Sequence, residues 1–248
     1  LEAGNYSING KTNAGDAYGT LRVAANTDIR MWNSTSTVYA VNSTGSLYSQ
    51  DHNAVDGALY IWGGYERTTG AEYWNYTTDF DGTALTGGSE RTVSVYVSAG
   101  SGVTVNNALL DMRGAAGATT TIQNQGTGSY TLTVRNGTVN ADRYQVRNTD
   151  ATGMFLAGST TVTSLSNGTF ELGIDGGSML TVSSTTIDRN PALQILGVRF
   201  ATSSGVSTGY SVTQSDGAPA SYWWFRGLNG VLAGESFDND TGDPGSVR

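Results

Sequence analysis

Cysteine is absent from the 248 residues, histidine occurs once, and lysine is reduced to Lys11 among 13 basic residues. Without cysteine the chain has no disulfides and no thiolate metal sites, so its stability comes from packing and hydrogen bonding. The scarcity of Lys and Glu, two strong helix formers, predicts that helices are nearly absent. Only three prolines interrupt the chain. No run of about 18 apolar residues exists to carry a helix across a bilayer. Acidic residues outnumber basic ones 21 to 13, giving a net charge of -8. That balance leaves no basic stripe to displace phosphate counterions and excludes a sequence-independent grip on nucleic acid.

Small polar residues are abundant instead. Gly, Ser, Thr and Asn make up roughly 45% of the chain, with five Trp, thirteen Tyr and a 38% hydrophobic share. The apolar and aromatic content argues for a packed interior rather than disorder. The absence of cysteine fits either a reduced compartment or a bacterial or archaeal exterior, and the small polar residues with almost no lysine favour a secreted or cell-surface protein. A start at Leu1 rather than Met suits a removed signal segment or a trimmed chain. Asn-x-Ser/Thr occurs at Asn5, Asn33, Asn42, Asn75, Asn136, Asn167 and Asn239, little more than the four to five that chance gives in roughly this composition.

The pattern along the chain is all β. Blocks recur at about 30-residue steps: Val105 to Leu109, Val134 to Val139, Leu165 to Phe170 and Ile195 to Phe200. Each reads as strand, turn, strand. The strands alternate with period 2, as in Tyr130 to Arg135, and Leu132, Val134, Phe170, Leu172, Ile174, Leu180 and Val182 are expected to face one core. Three strands of about five to six residues per coil match a parallel β-helix. A β-sandwich or jelly roll is the competing reading, but it predicts no recurrence at 30. Residues 1–90, with strand candidates Gly19 to Val23, Ser36 to Val41 and Gly57 to Trp62, lack the period and form an irregular β-rich N-terminal region, a candidate assembly arm. Residues 91–248 hold the regular coils and an aromatic, acidic C-terminal end.

The stretch from Asn136 to Phe200 carries Asn-Gly-Thr turns, Asp175-Gly176-Gly177-Ser178 and Asp188-Arg189-Asn190-Pro191-Ala192. It is followed by Ser221-Tyr222-Trp223-Trp224-Phe225 and Asp238 to Gly245. Together these resemble bacterial secreted or cell-surface right-handed parallel β-helix proteins over somewhat more than half of the chain. The resemblance implies the fold and brings no functional residue with it. The architecture is also similar to that of polysaccharide lyases and tail spikes, none of whose catalytic motifs is matched.

Candidate chemistry is sparse. Gly10-Lys11-Thr12 lacks the Gly a phosphate loop needs at position 5, where Asn5 stands. His52 lies in Gln50-Asp51-His52-Asn53 with no nucleophile-elbow sequence, and reads as a loop histidine. Asp238, Asp240 and Asp243, with Glu235 nearby, place hard oxygen donors on one Gly-containing loop, the ligand set of Ca²⁺, although the EF-hand's distal Glu is missing. Asp79, Asp81 and Glu90 form a weaker group of the same kind. Asp150, Asp175 and Asp188 offer carboxylates from which a glycosidase pair would be drawn. The clusters with Tyr60, Trp62 and Tyr65, with Tyr73, Trp74 and Tyr76, and with Tyr222, Trp223, Trp224 and Phe225 are candidate interface or glycan-binding residues, or end caps of the solenoid. The expectation is a non-enzymatic extracellular structural protein that self-assembles into a surface filament or sheath. It has no catalytic residue and requires no cofactor. A carbohydrate-binding adhesin and a polysaccharide lyase or hydrolase are the rival readings.

Overall fold

The computed structural model of the protein describes residues 29–31, 37–40, 46–48, 57–61, 64–67, 71–75, 93–115, 117, 119–240 and 245–247, and before residue 94 it describes the side chain of Trp74 only. The strands fall into three sheets visited in strict rotation. The first sheet stacks Ile29–Met31, Gly57–Ile61, Val93–Ser98, Thr120–Gln125, Tyr144–Arg147, Thr169–Leu172, Arg199–Thr202 and Asn229–Gly230. The second stacks Thr37–Ala40, Gly64–Arg67, Gly102–Asn106, Tyr130–Arg135, Thr149–Ala157, Gly177–Val182, Gly209–Gln214 and Asp238–Asn239. The third stacks Ser46–Tyr48, Ala71–Asn75, Leu109–Arg113, Thr138–Asp142 and Thr161–Ser166, and a separate pair, Gln194–Leu196 and Trp224–Arg226, continues that side. The paired strands run parallel. The chain is therefore a parallel β-solenoid, and the sandwich alternative, which needs antiparallel sheets, is excluded. The described segments between positions 29 and 75, in the region expected to be irregular, pair in these same sheets, Ile29 opposite Leu59 and Leu59 opposite Val95.

Alternation within each strand sends one set of side chains inward, and parallel register stacks them into columns. In the first sheet one column runs Val95, Ile122, Val146, Phe170, Phe200. In the second it runs Val103, Leu132, Met154, Leu180, Val212. All of these are buried in one continuous core. Toward the C-terminal half the filling becomes aromatic, with ring centroids 5.5 Å apart for Tyr144 and Phe170, 5.9 Å for Phe170 and Phe200 and 5.9 Å for Phe200 and Phe225. Of the seven residues expected in the core, six are there. Ile174 is not, because the strand ends at Leu172 and Ile174 sits in the turn that follows.

The corners explain the apparent 30-residue repeat. Successive residues of the first-sheet column lie 27, 24, 24 and 30 positions apart, so coil length varies. What recurs is a residue with positive φ where the chain turns. Asn107, Asn136 and Gly158 make the turn from the second side to the third, at φ 53°, 52° and 60°. Arg143, Asn167, Gly197 and Gly227 make the turn from the third side to the first, at φ 49°, 54°, 65° and 65°. Asn and Gly tolerate this region best, so they mark corners without saying which corner. The four sequence blocks thus belong to two different corners. At Asn167-Gly168 a second constraint acts, since the ring of Tyr144 lies where a Cβ on Gly168 would stand.

On the third side the stack is interrupted by the one α-helix among the described residues, Ser184–Arg189. Ser183 caps its start, and Pro191 follows its C-cap Asn190. Asn190 then replaces a missing strand. Its Oδ1 accepts from the Val162 N–H at 2.8 Å, while its Nδ2 donates to the carbonyls of Thr160 and Thr186, each at 2.8 Å. One coil later, Trp223 Nε1 donates to the Asn190 carbonyl at 3.1 Å.

Candidate functional site

The aromatic run Tyr222–Phe225 is split by alternation. Trp223 and Phe225 point inward and are buried. Tyr222 and Trp224 point outward, in an edge contact with ring centroids 5.4 Å apart. The guanidinium of Arg226 lies 5.3 Å from the centre of the Trp224 ring, a cation–π contact made two residues along the same face. Leu196, in register with Arg226 on the neighbouring strand, is 48% exposed and adds apolar area next to Arg226. The expected interface or glycan cluster is therefore half core and half surface. Trp74 is a further correction, being fully buried and in register with Met112. Tyr73 lies on the strand Ala71–Asn75, while Trp62 and Tyr76 lie outside the described residues. Arg226 and Leu196 were missed from the sequence. The period-2 spacing of Tyr222, Trp224 and Arg226 was the signal that could have found the former.

The C-terminal acidic residues form the second candidate. Among the described residues Asp238 and Asn239 form the last rung of the second sheet, opposite Val212 and Thr213. Asp240 is nearly buried, and its Oδ2 accepts from the backbone N–H of Gly245 at 2.5 Å and of Val247 at 3.4 Å. That carboxylate therefore ties Asp240 to the segment 245–247, where Val247 bridges to Trp223. Asp238 borders a small cleft of about 20 Å³ lined by Phe200, Val212, Phe225, Leu228 and Val247 together with Ser211 and Glu235, room for one water molecule. Burial, and then the neighbouring charges of Asp240 and Glu235, push its carboxyl up to about 7. Asp243 lies outside the described residues. Among the described residues no three His, Cys, Asp or Glu side chains gather as a metal-holding group.

The carboxylates suspected of catalysis bind backbone instead. Asp175 Oδ1 accepts from the N–H groups of Ser207 at 2.8 Å and Thr208 at 3.0 Å and from the Thr208 hydroxyl at 3.1 Å, which holds its carboxyl below the usual range. Asp188 accepts from the Ser221 N–H at 3.0 Å, and Asp150 from the Thr152 N–H at 2.9 Å. Asp175 sits on the turn between the first and second sheets and Asp188 on the helix that leads to the third side, so the structure does not gather the three on one face. His52, Lys11, Asp79, Asp81 and Glu90 lie outside the described residues.

Other carboxylates span coils. Asp111 takes Arg113 and, from the next coil, Asn140 Nδ2 at 3.1 Å. Asp142 takes Asn167 Nδ2 at 2.7 Å. Glu171 takes Arg147 Nε at 2.9 Å and Nη2 at 3.1 Å from the coil before, and the Ser203 hydroxyl at 2.7 Å from the coil after. Among the described residues no helix is long and apolar enough to cross a membrane. Comparison of the chain with protein families, with curated proteins and with solved structures finds no match.

Proposed function

We propose that this chain is a non-enzymatic structural protein of the cell exterior, a solenoid rod that self-associates into a surface filament or sheath. The observation that supports this reading is how the polar side chains are used. Asp111, Asp142, Glu171, Asp175 and Asp188 each bond to a neighbouring coil, so carboxylates that an enzyme would keep free to move protons serve here to lock the stack. A stack of parallel strands also presents main-chain edges along its axis, and a head-to-tail contact that does not close generates an open fibre. The outward Tyr222, Trp224 and Leu196 supply apolar area for a lateral contact.

Negative-stain microscopy of the purified protein, with and without residues 1–20, tests the proposal. Polymers from the full chain, lost on truncation while the β-sheet circular dichroism signal persists, are expected. Full-length protein that stays monomeric at high concentration would overturn the filament. The adhesin is the second reading, favoured by the aromatic pair with Arg226 beside it. For such a monomer, glycan binding that Trp224→Ala removes is the result expected of an adhesin.

A further inference from the structure

Arg113, Arg143 and Arg147 each hold a carboxylate. Arg226 does not. Among the described residues it makes no ion pair, and its guanidinium lies over the Trp224 ring instead. A ring attracts the charge but offers no lone pair, so the N–H donors of that fork stay available to an acceptor. Around Arg226 the outward side chains come from two strands. Tyr222, Trp224 and Arg226 lie along one segment, and Gln194 and Leu196 face outward on the strand beside it, Gln194 in register with Trp224. Neighbouring strands lie about 4.8 Å apart, which brings the exposed Gln194 amide within reach of a ligand resting on the rings. Asp188, the carboxylate that bonds to this segment, is taken up by the Ser221 N–H. The patch belongs to the side of the stack, since Trp223 is bridged in turn by Val247.

We propose that Tyr222, Trp224, Arg226 and Gln194 form a binding site on the side of the solenoid for an acidic saccharide, one whose sugar carries a carboxylate. The C–H face of a sugar ring covers aromatic surface, the planar guanidinium matches a carboxylate with two parallel hydrogen bonds, and an amide serves a hydroxyl. A neutral sugar would use the rings and leave the charge of Arg226 unanswered. A protein partner needs more room. Stable protein contacts cover about 800 Å² on each side, whereas two partly exposed rings and a leucine offer well below that, and one or two sugar units fit within it. The net charge of -8 does not forbid an anion here, because at physiological salt charges more than about 8 Å away are largely screened and the local guanidinium decides. The site rests on the second reading, glycan binding at Trp224, which it deepens by naming the charge of the sugar. It is independent of whether the chain forms filaments.

Calorimetric titration of the full chain with two probes tests it: tetragalacturonate, and the same tetramer with its carboxyls methyl-esterified. The acid should bind at least about tenfold tighter than the ester, the difference expected of a charge-assisted pair, and added salt should weaken the acid alone. Arg226→Gln should bring the acid down to the affinity of the ester and leave the ester unchanged. Trp224→Ala should weaken both. Arg226 is exposed, so its variant keeps the fold and decides the matter even where Trp224→Ala disturbs the coil. Equal binding of the two probes, lost in Trp224→Ala, would keep glycan binding and overturn the acidic choice. Acid binding that survives in Arg226→Gln would place the recognition elsewhere and overturn the site. Binding of neither probe would overturn the site and the glycan reading together, and self-association weakened by Arg226→Gln in that case would assign the patch to a second copy of the chain.

Discussion

Glu171 shows what a single charged residue does on this surface. Buried more than half, it would by desolvation titrate higher than usual, but hydrogen bonds from Arg147 and Ser203 and the charges of Arg147 and Arg199 outweigh that and hold it low. A carboxylate held low in the folded state contributes stability above its ordinary value and loses that contribution as pH falls through the folded-state value. Glu171→Gln should therefore melt below the wild type at pH near 7, with the gap narrowing toward pH about 3. Thermal melts across that range check it, and a gap of constant size would show that Glu171 acts by shape alone. The sequence displayed this residue without its role. Arg147 stands 24 positions before it and Ser203 stands 32 after, and coil lengths that vary cannot be read from spacing. For the same reason spacing cannot say whether Asp150, Asp175 and Asp188 share a face from which a glycosidase pair would be drawn.

At the scale of elements, strands were legible and corners were legible as turns, but their identity was not. The pattern of Tyr130–Arg135 is legible because burial on one face imposes period 2. The helix Ser184–Arg189 was invisible, since Ser-Thr-Thr-Ile-Asp-Arg has weak helix propensity and only six residues. It forms because the chain around it is already fixed: Ser183 caps it, and Asn190 ties it to the preceding coil. Asn190→Ala removes three side-chain hydrogen bonds at about 1 kcal/mol each and leaves the Val162 N–H unpaired, for a total loss of about 2 to 4 kcal/mol. Asn190→Asp keeps the acceptor for Val162 and loses both donors, so it should also destabilise, and more so at neutral than at acid pH, where its carboxyl regains a donor. Denaturant unfolding of both variants measures this. A loss under about 0.5 kcal/mol for the alanine variant would mean that water replaces the asparagine.

For the whole molecule, each coil touches chiefly its two neighbours, so stability should spread along the axis in steps, as it does in repeat proteins generally. Phe200 lies in the middle of the aromatic column, between Phe170 and Phe225. Phe200→Ala removes a fully buried ring, at a cost of about 3 to 5 kcal/mol. In a globule that loss would weaken every region alike. Along this solenoid it should fall first on the coils that touch the cavity. Hydrogen-exchange protection is expected to drop across 169–172, 195–202 and 224–230, while 102–112 and 130–135, two or more coils away, keep most of theirs. Uniform loss of protection from one end to the other would mean that the coils unfold as a single unit and would refute this. The distinction bears on the proposed rod as well, since a stack that yields locally can lose one coil's order while the coils away from it stay folded.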